Sequence, residues 1–152
     1  MIKKDHNFSV AIDSKEGLTV PNIKKVQELS ILQINEALKD MIKKAETASF
    51  THDDFSDGTF NISSVGNLGG RYFVPTILRP QAAIIAIGQA HKVAKYVEDS
   101  SRVEGYRFEP IDAINFSISA DHRVLDGATV ARFASRMKQL IENPNLMLLN
   151  MH

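Results

Sequence analysis

The sequence predicts an α+β protein with a largely antiparallel or mixed sheet. Segments with the period of a strand outnumber the two segments with the period of a helix. The predicted strands are separated by long hairpins, which favours α+β over other layered arrangements. The 152 residues are enough for one domain with a real hydrophobic core.

Composition limits the function. Lys+Arg and Asp+Glu both number 18, so the net charge is zero and nothing indicates a nucleic-acid or membrane-surface binder. The chain has no cysteine, which removes disulfides, thiol nucleophiles and thiolate metal sites. No segment reaches the roughly 18 apolar residues that a membrane span needs.

The first third predicts a hairpin followed by a packing helix. In residues 6–13, Phe, Val and Ile alternate with smaller or polar residues, the period of a half-buried strand. A turn with Gly17 leads to a second short strand, residues 18–20. Ser30 then opens a helix, with Gln33 at the spacing of a capping box. The apolar stripe of that helix comprises Ile31, Ile34, Leu38, Met41 and Ile42.

The middle third predicts two strands around a glycine-rich loop. A polar loop, with one short turn around residues 51–54, precedes a strand at residues 59–63. Gly66, Gly69 and Gly70 follow, and three glycines so close together indicate close backbone approach to a ligand or to another strand. Their spacing fits neither a P-loop nor GxGxxG, so we reject phosphate binding there. Residues 82–87 are continuously apolar, as in a strand buried on both faces.

The last third predicts a hairpin, a strand and a helix. Residues 91–108 form the hairpin, with a charged tip at residues 98–102, and residues 111–119 alternate as a strand. A helical stripe begins at Ala128 and ends before Pro144. The apolar tail, residues 146–149, is expected to dock onto a core or a neighbouring subunit.

His122 is the leading candidate for chemistry. It lies in the stretch SADHRVLDG, residues 119–127, which reads as a strand end, a tight turn and a helix start. Catalytic groups often lie on such turns, and a histidine near neutral pKa is suited to take a proton from a thiol or hydroxyl. Asp121 and Arg123 can lock the turn by ion pairs, and Asp126 can position it. From spacing alone, a functional and a structural His122 remain equally open.

The remaining candidates are weaker. His6, His52, His91 and His152 show neither i, i+4 pairing nor clustering, so no metal site is predicted and the last three are expected at the surface. Ser63 could be a nucleophile, an oxyanion donor or simply a strand-end hydroxyl. It lacks the GxSxG elbow of hydrolase nucleophiles.

The SxDHRxxDG stretch resembles the signature of the dihydrolipoyl acyltransferase cores of 2-oxo acid dehydrogenase complexes. Three further blocks are similar to that family and follow its order: IDxxxGLxVPN at residues 12–22, GTFNISSVGxxGG at residues 58–70, and PQAAI with Gly88 at residues 80–88. The resemblance implies a chloramphenicol-acetyltransferase-like sandwich, with residues 1–152 as the C-terminal two-thirds of the catalytic domain. Chloramphenicol acetyltransferase itself has a second histidine where this chain has Asp121.

The resemblance implies acyl transfer between dihydrolipoamide and coenzyme A. His122 matches the general base that deprotonates the attacking thiol, and Ser63 matches the hydroxyl that donates a hydrogen bond to the oxyanion. Asp126 matches a carboxylate that holds the active-site turn through an ion pair with an arginine. Succinyl-transferring members tend to carry threonine in place of Ser63, which favours an acetyl or branched-chain acyl group here. Three positions match residues near coenzyme A: Asp13, Ser64 and Gly88.

The resemblance also implies an assembly. In the family, His122 would face the partner subunit's Ser63 within a homotrimer, and trimers build larger cubic or dodecahedral cores. The lipoyl group would be carried on a separate domain, and the decarboxylase and dihydrolipoamide dehydrogenase would be further partners. The lipoyl and subunit-binding domains, and the first third of the catalytic domain with its arginine, are expected to lie outside this sequence. The expected location is the mitochondrial matrix in a eukaryote and the cytoplasm in a bacterium.

Two alternatives accompany this interpretation. The first is a structural core that assembles without turnover, because the missing segment carries substrate contacts. The second is an acetyltransferase of the chloramphenicol type acting on a small hydroxyl acceptor, which Asp121 and the Ser63 block disfavour.

Overall fold

A computed structural model describes residues 3–149, so His152, one of the histidines expected at the surface, lies outside the described residues. The strands of this part of the chain are β1 (Phe8–Ser14), β2 (Gly17–Thr19), β3 (Asn22–Ile23), β4 (Phe60–Ser64), β5 (Ala83–Ile87), β6 (His91–Glu98), β7 (Tyr106–Ala113) and β8 (Phe116–Ala120). Its α-helices are α1 (Ile31–Thr47), α2 (His52–Phe55), α3 (Gly127–Glu142) and α4 (Pro144–Leu148), and Val26–Glu28 form a 3₁₀ turn. None of these helices is long and apolar enough to cross a bilayer.

A mixed six-stranded sheet forms the centre of the fold, in the order β2-β1-β4-β5-β8, with β3 also paired to β1. β4 is parallel to both β1 and β5, whereas β8 is antiparallel to β5. β6 and β7 form a separate two-stranded ribbon. The α+β class and the mixed sheet predicted from the sequence are therefore confirmed.

One face of the central sheet is apolar and carries the two long helices. Phe8 on β1 and Phe60 on β4 are paired, with ring centroids 5.5 Å apart. Phe133 on α3 lies 5.9 Å from Phe60, and Leu38 on α1 shares a cavity wall with Phe8. The aromatic rings of the sheet therefore contact both α1 and α3, as the apolar stripes of the two helices predict.

The opposite face, called here the polar face, carries small and polar side chains because side chains alternate along each strand. Ser9 on β1 and Asn61 on β4 are paired in register and are only 1% and 3% exposed. The Gln81 side-chain amide donates to Ser9 Oγ at 2.7 Å, and the Asn22 amide donates to the Ser56 carbonyl at 2.8 Å. The segments that connect the strands thus cover the polar face and satisfy part of its hydrogen bonding.

Local sequence signals for the helices are confirmed. Ser30 caps α1, and its backbone N–H and side chain exchange hydrogen bonds with Gln33 as a capping box. The short turn predicted around residues 51–54 is helix α2. The Asp54 carboxylate in α2 accepts a hydrogen bond from Lys44 of α1 at 2.7 Å, and this bond, followed by the one from the Thr51 N–H, lowers the pKa of Asp54 to about 2. The ion pair fixes α2 against the end of α1.

Two predicted boundaries near the C-terminal end are wrong. The hairpin extends to Ala113, so the expected strand at residues 111–119 is split between β7 and β8. The residues that alternate, Ile114, Phe116 and Ile118, lie in β8 and just before it, whereas residues 111 and 112 are exposed in β7. A period of two does not show that the chain moves from one sheet to another. The break occurs at Asn115, whose carbonyl accepts the Gly88 N–H at 2.9 Å.

The apolar tail docks only partly. Residues 146 and 147 in α4 are half-buried, but Leu148 and Leu149 remain 70% and 80% exposed. Packing within residues 3–149 therefore does not cover Leu148 and Leu149, and the expectation of a neighbouring subunit there stays a prediction.

Candidate active site

Four of the predicted site residues meet at one edge of the sheet. β1, β4 and β5 are parallel, so their carboxyl ends lie side by side. Asp13 is near the end of β1, Ser63 and Ser64 end β4, and Gly88 follows β5 directly. Asp13 and Ser64 are exposed there, Ser63 is half-buried, and Gly88 is buried.

Ser63 lies on the polar face between small neighbours. Its register partners are Ala11 on β1 and Ala86 on β5. Within the part of the chain that the structure describes, the Ser63 hydroxyl forms no hydrogen bond. The hydroxyl is therefore free to donate to a ligand. Sequence reasoning missed Ala11 and Ala86, because only strand pairing identifies which of many alanines flank Ser63.

The glycine-rich loop packs against backbone, which decides between the two alternatives raised by its sequence. A Cβ on Gly66 would lie 2.5 Å from the Gly88 carbonyl oxygen, and a Cβ on Gly88 would lie 2.4 Å from the Arg71 carbonyl oxygen. The Gln89 N–H also donates to the Gly70 carbonyl at 2.9 Å. The close approach is thus between two segments of this chain, directly beside the edge that carries Ser64.

Replacing Gly88 with alanine is expected to lower the free energy of unfolding by about 1–3 kcal/mol, because the added methyl group overlaps a backbone carbonyl, which cannot turn aside as a flexible side chain can. Urea denaturation of the purified chain measures the change. Gly127→Ala is the matched control, since nothing lies within 4 Å of the position of its Cβ. Equal stabilities of the two variants would contradict this packing.

His122 lies at the other end of the sheet. It follows β8, whose last residue Ala120 pairs with Ala83 at the start of β5. The register places the Cα of Ala120 roughly 10 Å along and roughly 10 Å across the sheet from the Cα of Ser63. His122 is exposed, two residues beyond Ala120. One chain therefore does not bring His122 and Ser63 together.

The turn around His122 is held by Asp121. Its N–H donates to the Ala82 carbonyl at 2.8 Å, which ties the turn to the start of β5. Its carbonyl accepts the N–H groups of Val124 and Leu125, both at 3.0 Å. Hydrogen bonds from the Arg123 guanidinium, and then from the Arg123 N–H, lower the pKa of Asp121 to about 2. The predicted ion pair of the turn is present, with Arg123 Nη2 at 2.6 Å from Asp121 Oδ2.

Asp126 caps a helix. Its Oδ1 accepts the Thr129 N–H at 2.6 Å at the start of α3. The Thr129 hydroxyl and backbone N–H hold the pKa of Asp126 below its usual value. Within residues 3–149 no basic side chain forms an ion pair with Asp126. The role that this chain shows for Asp126 is therefore that of an N-cap.

Asp126→Ala is expected to lower the free energy of unfolding by about 1 kcal/mol, whereas Asp126→Asn should change it much less, because asparagine is an equally good N-cap. Thermal and urea unfolding of both variants at pH 7 would show the difference. A loss in Asp126→Asn as large as in Asp126→Ala would mean that the charge, and not the cap, is what matters.

The whole described chain matches the family 2-oxoacid dehydrogenases acyltransferase (catalytic domain), over residues 1–149. The chain belongs to this family. The lipoamide acyltransferase component of the mitochondrial branched-chain alpha-keto acid dehydrogenase complex of Arabidopsis thaliana is 39% identical over 99% of this chain and 30% of its own length. The acetyltransferase component of the pyruvate dehydrogenase complex of Cupriavidus necator is 34% identical over 98% of this chain and 26% of its own length.

Solved members of the family share the fold of this acyltransferase domain. The dihydrolipoamide acetyltransferase of Azotobacter vinelandii, studied for the roles of a serine, a histidine and an asparagine in its catalytic mechanism, has a TM-score of 0.86 at 31% identity. That match covers 97% of this chain and 58% of that chain. The cubic core of the pyruvate dehydrogenase multienzyme complex gives a TM-score of 0.85, also at 31% identity, over 96% of this chain and 57% of that chain. The chain spans less than a third of the length of the curated relatives named above.

Proposed function

We propose that the chain transfers an acyl group between dihydrolipoamide and coenzyme A. The observation that carries this proposal is the family match over residues 1–149. The exposed His122 turn and the unbonded Ser63 hydroxyl agree with it, since both groups are available to a substrate. The histidine and asparagine of the Azotobacter vinelandii enzyme are four positions apart, the same spacing as His122 and Asp126.

The proposed chemistry is a direct transfer between two thiols. A thiol with a pKa of about 8.5 is mostly protonated at neutral pH, so His122 takes the proton as the sulfur attacks the thioester carbonyl. A carbon–sulfur bond forms, and the carbonyl electron pair moves to oxygen. The Ser63 hydroxyl donates a hydrogen bond to that oxyanion. The intermediate collapses, the other carbon–sulfur bond breaks, and the leaving thiolate takes the proton back from His122.

We propose that this site is shared between two copies of the chain. The separation of His122 and Ser63 within one chain supports it, because the thiol that the base deprotonates attacks the same carbonyl group whose oxygen the Ser63 hydroxyl has to reach. A closed ring of identical chains supplies every His122 turn with a partner subunit's Ser63. A homotrimer within a larger cubic core is the proposed assembly, in line with the solved cubic core.

Branched-chain acyl groups are the proposed substrates. The branched-chain relatives are 38–39% identical to this chain, and the pyruvate dehydrogenase relatives 32–35%. Ser63 agrees with a branched-chain or an acetyl group.

Asp13 and Ser64 are the proposed coenzyme A contacts, because both are exposed at the edge that carries Ser63, and Gly88 shapes that edge.

The wider assembly follows from the proposed reaction. The lipoyl group would arrive on a separate lipoyl domain, and the decarboxylase and dihydrolipoamide dehydrogenase would act before and after this step. The location would be the mitochondrial matrix in a eukaryote, as for the Arabidopsis thaliana relative, and the cytoplasm in a bacterium.

The test is acyl transfer to free dihydrolipoamide from isobutyryl-, acetyl- and succinyl-coenzyme A, measured on the assembled protein. We expect kcat/KM to be highest for isobutyryl-coenzyme A and lowest for succinyl-coenzyme A. Highest activity with the acetyl donor would refute the branched-chain assignment but not the reaction. A trimer or larger particle without transferase activity would favour the structural-core alternative.

A further inference from the structure

The side chains of Asp121 and Arg123, the two neighbours of His122 in the sequence, are hydrogen-bonded to each other. Asp121 Oδ1 accepts the Arg123 N–H at 3.0 Å, which closes a small ring around the His122 backbone. The Arg123 guanidinium then donates from Nε at 3.0 and 3.1 Å and from Nη2 at 2.6 Å to the two carboxylate oxygens. This second ring also spans His122. The two rings restrict the backbone dihedrals that set the direction of its Cα–Cβ bond.

The His122 imidazole itself has no such restraint in the part of the chain that the structure describes. Acid–base histidines are commonly oriented by a carboxylate or carbonyl that accepts a hydrogen bond from the second ring nitrogen. No group within residues 3–149 is hydrogen-bonded to His122. The backbone dihedrals, which set the direction of the Cα–Cβ bond, are therefore the restraint on His122 that this part of the chain provides.

We propose that Asp121 and Arg123 are positioning residues for His122. They hold the backbone of the turn in place and do not contact the substrate themselves. This inference rests on the proposed function, in which His122 is the general base. The Asp121 N–H is hydrogen-bonded to the Ala82 carbonyl at the start of β5. The pair therefore holds the His122 backbone in a fixed position relative to the sheet. Arg123 is 80% exposed at its side chain, and its partner is 26% exposed.

This exposure allows the effect of the pair on catalysis to be distinguished from its effect on the stability of the fold. Water and salt screen the exposed Arg123 end of the pair, so the ion pair contributes little to the stability of the fold. A displacement of a catalytic group by about 1 Å, in contrast, can lower the rate about 100-fold. Loss of the pair should therefore lower kcat while leaving the melting temperature and the KM for the acyl donor nearly unchanged.

The test compares Asp121→Ala, Asp121→Asn, Arg123→Ala and Arg123→Lys in the assembled full chain. We expect the two alanine variants to lower kcat about 10- to 100-fold, with KM for the acyl-coenzyme A changed less than about 2-fold. Asp121→Asn keeps the bond to the Arg123 N–H, and Arg123→Lys keeps the charge, so both should recover part of the loss. The double alanine variant should be no slower than the slower single one, since the pair acts as one unit.

Lys138→Ala is the matched control, because it removes an exposed ion pair with Glu142 on α3, away from the turn. It should leave kcat unchanged. Equal kcat in the wild type and in all four turn variants would overturn this inference and leave the proposed function intact. A wild type without transferase activity would overturn the proposed function, and this inference with it.

Discussion

Replacing His122 with alanine is expected to lower the kcat of acyl transfer by about 10²- to 10⁴-fold, the usual contribution of a general base. The thiol would then have to ionise without help, while the substrate contacts proposed at the Ser63 edge would be untouched. Steady-state assays with isobutyryl-coenzyme A and dihydrolipoamide would measure the loss. Because His122 is exposed and has no hydrogen bond within residues 3–149, the fold should be unaffected.

His52→Ala is the control for that experiment. His52 is also an exposed histidine, at the start of α2, and it belongs to no proposed site. It should keep the wild-type rate. If His122→Ala were as active as His52→Ala, the assignment of the base would be wrong, whatever the family of the chain.

Mixing two inactive variants is expected to restore activity. Co-expression of Ser63→Ala and His122→Ala chains in equal amounts should recover about a quarter of the wild-type rate, because random assembly pairs an intact histidine with a partner's intact serine at about one site in four. Each variant alone should be at least about 100-fold slower than the wild type. Purification through two different affinity tags would select the mixed particles.

The mixing result decides between two geometries. If one chain supplied both groups, every mixed site would lack one of them and no activity would return. The sheet register already separates the two residues, so recovery is the expected outcome. Absence of recovery in particles shown to be mixed would rule out the shared site.

The sequence predicted best where chemistry is local. The capping box of α1 depends on residues three positions apart, and Ser30 and Gln33 form it as expected. The ion pair between Asp121 and Arg123 is equally local and is also present. Such contacts need no knowledge of how distant segments meet, which is why a single sequence is enough to predict them.

Predictions failed or stayed untested where the structure depends on the pairing of segments that are distant in the sequence. The strand expected at residues 111–119 was wrong, because its corner at Asn115 depends on a bond to Gly88 far along the chain. The opposite positions of Ser63 and His122 likewise follow from the register of β4, β5 and β8. Asp126 shows a related limit. The resemblance implied an ion pair with an arginine outside this sequence, which stays a prediction, and the bond that this chain itself shows is a local cap from Thr129.

The parallel pairing of β4 with β1 and β5 has a consequence for the order of folding. These pairings join segments that are far apart in the chain, so each of them closes a long loop before its contacts can repay the entropy. The edge that carries Ser63 is formed by β1, β4 and β5 together. The His122 turn is hydrogen-bonded to the start of β5. Neither half of the site exists until most of the chain has folded. In a chain still in synthesis, the Ser63 edge is therefore incomplete until β5 has been made, and the His122 turn has no anchor until β8 has paired with β5.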